Sequence, residues 1–568
     1  MRAHGFRNAA ANNCLVQERP GTERPARAAI AGAVIAALIT LPGLGAGTLW
    51  DNSETAYGEV AREVLLTHDW IVMHLNGAPW YVQPPLYFWI GAIFAKLLGV
   101  TSLALRLPAA FATIAMGAMT GYAVARQAGT RAGIFAATIL STCLMQAVVG
   151  RLAIMDALLD LTVALSIFWW FRALQTGRDR YVIFGWIAAG LGFLVKGPVA
   201  PVVALLVIVP YAIWNRREEE THFPGARAWC VALLAFFVIV APWFVALAMR
   251  DGAGAIWLQI GHYTFGRYTG VIENQAGPLW YYLPVLIIGF FPWIAFLPVA
   301  LAWATRRLRA GTDTQTARLI RLAIVWIVAP LLFFSLAKTK LPNYIALEFP
   351  ALALLVGLWF DDLANGRRRL AAIVSAATVP ICIGLMAIAI ALFVRDNKLA
   401  ADVDKLLPDL TAMGTSIAIG AIVTLICVFR ERLVEYAPYA LGISMLVMVD
   451  VMAIVALPHA EAFKPVPTLA RTIQAQRKPG DVVAIQSVSG GNALVFYTQP
   501  GVQVLAAPDA PPSDQGVSAK SVICNAQRAF VIAPKKRPNY DPTYGRTRTI
   551  IDESGKAVLF LYEGPHCN

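Results

Sequence analysis

The chain has 568 residues, 58% of them hydrophobic and only 14% charged, a balance that would not keep a water-soluble protein of this length dispersed. Its net charge of +13 would suit a nucleic-acid binder. The arginines and lysines, however, fall mainly in short loops between apolar stretches, where the basic bias of cytoplasmic loops accounts for them.

Residues 1–28 read as a cytoplasmic tail carrying Arg2, Arg7, Arg19, Arg24 and Arg27. No small-residue cleavage site follows the first apolar run, so that run is expected to stay as an anchor. Stretches long enough for a hydrocarbon core of about 30 Å recur through residues 29–457, which reads as a helical transmembrane domain. The apolar run at 85–99 is short for a span and is expected to be a helix lying at the interface. About thirteen spans then remain, and Arg126, Arg131, Arg178, Arg180, Arg216, Arg217, Arg306, Arg307, Arg309, Arg367, Arg368, Arg369, Arg430 and Arg432 fall on one, cytoplasmic, side. After residue 458 the pattern changes to short β-branched runs broken by Gly and Pro, the mark of a small α/β domain over 458–568. The odd span count exports that domain. The resulting picture is a multi-pass protein of the bacterial inner membrane, with its C-terminal domain in the periplasm. Cys524 and Cys567 are the two cysteines of that domain, where an oxidising compartment allows a disulfide; two free buried thiols are the alternative.

The same parity exports the first loop, 51–104, and segments 151–156, 196–198, 250–278 and 338–344. The first loop opens with Asp51, Asn52, Ser53 and Glu54 and continues at helical spacing through Tyr57. Such residues cap helices, and acids suit a first turn. Asp156, preceded by Arg151, begins a span at the same face, where a carboxylate is costly unless it is paired or used. Lys196 sits between two apolar runs with almost no loop to carry it into water, so it needs an anionic partner. Lys338, Lys340 and Tyr344 share another short turn, and Arg267 lies in the exported segment 250–278. Each cation alone reads as a snorkelling interfacial residue; converging on one face, they could hold a phosphate at the membrane surface. His262 has no second His or Cys at ligand spacing and is at most a weak metal candidate. No cofactor is indicated, and a divalent metal is compatible with the pattern without being called for.

Several strings in order resemble the lipid-linked-sugar glycosyltransferases of the GT-C superfamily, the group that holds protein O-mannosyltransferases and lipid A aminoarabinose transferases. They are Ser53-Glu54-Thr55-Ala56-Tyr57, His68-Asp69-Trp70 in place of a Gly-Asp-Trp, Leu75-Asn76-Gly77, Pro84-Pro85-Leu86-Tyr87, Arg106-Leu107-Pro108, Lys196-Gly197-Pro198, Phe291-Pro292-Trp293 and Ala337-Lys338-Thr339-Lys340. The resemblance implies an inverting transfer of a sugar from an undecaprenyl-phosphate carrier to lipid A or another periplasmic acceptor. It implies an acid of the first loop at the reaction centre, where Asp51 and Glu54 stand with Asp156. Tyr57, Tyr81, Gln83, Arg151, Lys196, Arg267, Lys338, Lys340 and Tyr344 are the expected substrate and phosphate contacts. Two departures stand out. The aminoarabinose-transferase pattern has Asp-Glu where this chain has Ser53-Glu54, and Glu-Lys where it has Val82-Gln83. Transfer to protein Ser/Thr or to a surface glycan is the alternative acceptor chemistry. A transporter of lipid-linked sugars is the alternative class, disfavoured because the charges sit at span ends and no repeated halves are visible.

Overall fold

The computed structural model describes residues 24–50, 53–216, 221–272, 275–311, 314–365, 373–378, 406–488, 490–498, 501–505, 518–535 and 546–564. Asp51 and Cys567 lie outside them.

Ten helices in order build the first half: α1 (Pro25–Thr40), α2 (Ser53–Thr67), α3 (Leu86–Leu98), α4 (Ser102–Ala128), α5 (Thr130–Thr142), α6 (Leu144–Val149), α7 (Asp156–Thr176), α8 (Asp179–Lys196), α9 (Val199–Asn215) and α10 (Ala226–Asp251). Among the described residues, seven helices are long and apolar enough to cross a membrane. An eighth is the pair Leu279–Gly289 and Trp293–Ala310, bent by 106°, if it counts as one span. Shorter apolar helices, α1, α3 and α9, accompany them. The thirteen-residue α3 is only about 20 Å long, less than a hydrocarbon core.

In lipid, helices gain little from hiding apolar side chains from one another, so close packing of small residues holds them together. The α1/α4 contact shows this: Gly117 lies so close to the backbone of Gly32 that a Cβ there would sit 2.7 Å from its carbonyl oxygen. The opposite extreme is α10, whose most apolar window is only 28% buried. Its outward Leu234, Phe237 and Val238 are exposed, and only hydrocarbon suits such a face. The chain is a polytopic α-helical membrane protein.

After Ala460 the chain forms a mixed five-stranded sheet of order β4-β3-β5-β7-β6, from β3 (Val482–Gln486), β4 (Gln503–Leu505), β5 (Ala529–Pro534), β6 (Thr547–Ser554) and β7 (Ala557–Glu563). The first three strands run parallel, and β7 pairs antiparallel with β5 and β6. Cys524 is disulfide-bonded; the expected partner, Cys567, is outside the described residues.

A two-stranded hairpin in the first loop, β1 (His74–Leu75) and β2 (Ala78–Pro79), turns through Asn76 (φ 56) and Gly77 (φ 77), the Asn-Gly pair that a tight hairpin turn with two left-handed residues selects. Its tip reaches the sheet domain. The Asn76 side chain donates to Val502 O at 3.0 Å and accepts from Gly501 N at 2.8 Å. On α2, Arg62 pairs with Glu59 and donates to Phe496 O at 2.8 Å. Nearby, Glu461 accepts from Thr48, and Lys464 lies 3.9 Å from the Trp50 ring centroid.

Candidate active site

The first loop, the starts and ends of several spans, and the sheet domain enclose a cavity of about 1240 Å³. Its apolar wall includes Phe265, Phe333 and Phe334; its polar wall includes Glu54, Tyr57, Gln83, Arg106, Asp156, Lys196, Arg267 and Tyr344; and Asn492 of the sheet domain reaches it as well.

Asp156 opens α7 and Lys196 closes α8, so helix ends deliver both charges to one face. An acid in a first turn and a base in a last turn each face the favourable pole of their helix. Lys196 Nζ lies 2.6 Å from Asp156 Oδ1, with side-chain exposures of 15% and 6%. The ammonium also lies 5.4 Å from the Tyr344 ring centroid. Tyr57, on α2, faces the same charges of Lys196, Asp156 and Arg267; burial pushes its phenol up to about 12, so it is a neutral hydrogen-bond donor at ordinary pH. Arg267 donates to Gln275 Oε1 at 3.2 Å and faces the cavity.

Glu54 has a different situation. Arg106 grips it through two bonds of 2.9 Å, while the backbone N–H groups of Trp50 (2.8 Å) and Ala153 (2.5 Å) donate to its two oxygens. Both partners are buried, 5% and 1% exposed at the side chain. The other Arg106 donors go to the carbonyls of Leu44, Ala46 and Thr48. Glu54 therefore staples the chain before α2 to α4 and to the loop before α7, and its lone pairs are spent on that. Arg151 is used similarly: it lines the cavity, but its terminal nitrogens donate to Ile39 O (2.8 Å) and Pro42 O.

Three expected phosphate contacts lie away from the cavity lining. Tyr81 donates to Asp251 at 2.9 Å. Lys340 is buried and donates to the carbonyls of Ser335 (2.7 Å) and Ala337, which ties down its own turn. Lys338 is exposed. His262 is exposed with its ring against Tyr263, and among the described residues no group of three or more His, Cys, Asp or Glu could hold a metal. The chain reading passed over Trp50, Arg106 and Asn492 as site residues. Arg106 had one available signal, an arginine at the start of an apolar span, which must find an anion.

Taken together, the bundle, the shorter apolar helices and the sheet domain make a fold similar to that of a solved membrane glycosyltransferase. The structure of ArnT from Cupriavidus metallidurans bound to undecaprenyl phosphate superposes with a TM-score of 0.71 at 20% identity, covering 94% of this chain and 97% of that one. The family model described as dolichyl-phosphate-mannose-protein mannosyltransferase matches residues 82–245. The undecaprenyl phosphate-alpha-4-amino-4-deoxy-L-arabinose arabinosyl transferase of Pectobacterium carotovorum is 34% identical over 59% of this chain and 59% of its own length. That of Sodalis glossinidius, number 2, is 34% identical over 57% and 58%. The chain thus matches less than two thirds of the length of these relatives. The likeness to lipid-linked-sugar glycosyltransferases implied by the motifs is shown in both sequence and fold.

Proposed function

We propose that this protein transfers a sugar from an undecaprenyl-phosphate carrier to an acceptor at the periplasmic face of the bacterial inner membrane, most like the aminoarabinose transferases that modify lipid A. The observation that carries this reading is the buried Asp156–Lys196 pair beside Arg267 in a cavity with an aromatic wall. An amphiphilic donor needs both halves: aromatic and aliphatic side chains for the first isoprene units, and fixed cations for the phosphate.

When the bond between the sugar and the carrier phosphate breaks, negative charge grows on the departing phosphate. Lys196 and Arg267 are positioned to stabilise that charge, and preformed cations in a water-poor site do so without reorganising. Tyr57 and Gln83 add neutral hydrogen bonds. Gln83 stands where the aminoarabinose-transferase pattern has lysine, which leaves Lys196 and Arg267 as the phosphate anchors. Glu54 organises the loop, and the reacting acid is Asp156 or Asp51. With a phosphate acceptor, already anionic, that carboxylate orients the acceptor; with a hydroxyl acceptor it takes the proton.

The test is transfer from labelled undecaprenyl-phosphate aminoarabinose to lipid A by purified protein, with carrier binding measured separately. Absence of both transfer and carrier binding would sink the reading. The family model matched at 82–245 supports a second reading, a protein Ser/Thr or glycan acceptor; a labelled polypeptide or glycan in place of labelled lipid A would select it.

A further inference from the structure

The large cavity has two ends, and α2 runs from one to the other. Tyr57 marks the first end, where Lys196, Arg267 and the Tyr344 ring gather and Tyr268 stacks on Phe333 at 4.8 Å. Glu54, about one helical turn nearer the start of α2, marks the second, because its carboxylate takes the Trp50 N–H at 2.8 Å. There the loop after α1 meets the last part of the chain: a Cβ on Gly43 would lie 2.9 Å from Ile454 Cγ1. Trp50, Met452, Leu457 and Asn492 line the cavity.

This second wall is firmly held. The Thr48 N–H donates to Glu461 Oε1 at 3.0 Å, and the Leu49 N–H donates to Tyr497 Oη at 2.9 Å. Tyr497 belongs to the same helix as Asn492, Gly491–Thr498. Lys464 Nζ sits 3.9 Å from the Trp50 ring centroid, yet Trp50 keeps 39% of its surface exposed. Arg106 places all five of its N–H donors on Glu54 and on the carbonyls of Leu44, Ala46 and Thr48, so it builds the wall. The Trp50 indole and the Asn492 amide are left to touch a ligand, beside the apolar Met452 and Leu457.

The proposed transfer says which ligand belongs there. In an inverting displacement the acceptor oxygen bonds to the anomeric carbon on the side opposite the bond that breaks, and the electron pair of that bond leaves with the carrier phosphate. If Lys196 and Arg267 take the phosphate, the acceptor comes from the other end. The segment that carries Met452 and Leu457 also turns Ile454 and Val455 outward, 52% and 38% exposed, within an apolar helical stretch long enough to span the bilayer. One stretch of chain thus borders both the cavity and hydrocarbon, which suits an acceptor that is itself a lipid. Its Met452–Ala456 portion is π-helical, a distortion frequent at functional sites.

We propose that the Trp50–Asn492 wall is the acceptor side of the cavity, and that these two residues hold the headgroup of a glycolipid acceptor there. The sheet domain then takes part in choosing the acceptor. The inference rests on the transferase reading for the direction of attack.

The purified full chain in detergent is assayed with a labelled undecaprenyl-phosphate aminoarabinose donor and varied lipid A, and undecaprenyl phosphate binding is measured separately. Trp50→Ala and Asn492→Ala should each raise the KM for lipid A about tenfold, with carrier binding and thermal midpoint near wild type. Trp50→Phe, which keeps an aromatic face, should recover most of the loss. Lys196→Ala should weaken carrier binding instead. The assignment is overturned if both alanine variants keep the wild-type KM for lipid A, or if they weaken carrier binding, which would put this wall on the donor side. It is also overturned if the wild type binds the carrier and transfers nothing to lipid A; the transferase reading itself falls only when carrier binding is lost as well.

Discussion

Replacing Lys196 by methionine keeps the length of the side chain and removes its charge. In the protein, Nζ sits 2.6 Å from Asp156 Oδ1 with both side chains largely buried, so the change strands a carboxylate. Orphaning one half of a buried pair costs about 3–5 kcal/mol, and the lower end applies because Asp156 borders a cavity rather than packed protein. The effect on chemistry is separate. If Lys196 stabilises the departing phosphate, its loss costs about 2.7–4 kcal/mol of transition-state stabilisation, or about 10²–10³ in kcat. Purified Lys196→Met, assayed for sugar transfer and for thermal unfolding below its lowered midpoint, reads both. Asp156→Asn/Lys196→Met closes a double-mutant cycle in which the two losses should fail to add, as they do for groups in contact. Lys196→Arg restores charge with a different shape and should recover part of the rate. A folded Lys196→Met protein that turns over at the wild-type rate would refute the assignment.

Glu54→Gln should lower the thermal midpoint, because it breaks a buried pair worth roughly 3–5 kcal/mol when one partner is lost; a fully stable but inactive variant would show that Glu54 reacts rather than staples. Asn76→Ala removes the bonds to Gly501 and Val502 and puts alanine at a left-handed position, so the sheet domain should loosen by about 1–3 kcal/mol, seen as faster hydrogen exchange at 501–505 with the membrane helices unchanged. Glu59, buried beside Arg62 and Glu63, has its carboxyl pushed by burial from an ordinary 4.5 to about 7. Between those values the folded chain holds a proton that the unfolded chain has released, so stability falls as pH rises through that window. The wild-type midpoint should drop from about pH 5 to about pH 8, and Glu59→Gln should flatten the decline; an equal slope in both proteins removes Glu59 as the cause.

Much of this was readable in the chain, for identifiable reasons. Asp156 and Lys196 were expected at one face because each ends a span with almost no loop, and a charge there has few places to go. The short run at 85–99 was read as lying off the main spans, and it forms the thirteen-residue α3. The ion pairs of individual residues were not readable. Arg106 and Glu54 are separated by 52 positions, and nothing local says that the arginine will occupy the acid. Lys340 looked like a phosphate ligand because a lysine in a short turn has several possible partners; the turn itself supplied the carbonyls of Ser335 and Ala337. The second end of the cavity was invisible as well. Trp50 and Asn492 stand in different domains, and only the folded chain puts them on one wall.

The meeting of the first loop with the sheet domain also sets a timetable for biosynthesis. Thr48 bonds to Glu461 across 413 positions, and Asn492 closes part of the cavity wall that begins at Gly43. A ribosome delivers these partners far apart in time, so the early loop waits for a late segment before its walls are complete. During that interval the nascent chain has the Asp156–Lys196 pair but no finished chamber, and the cavity is complete only after the sheet domain has been made.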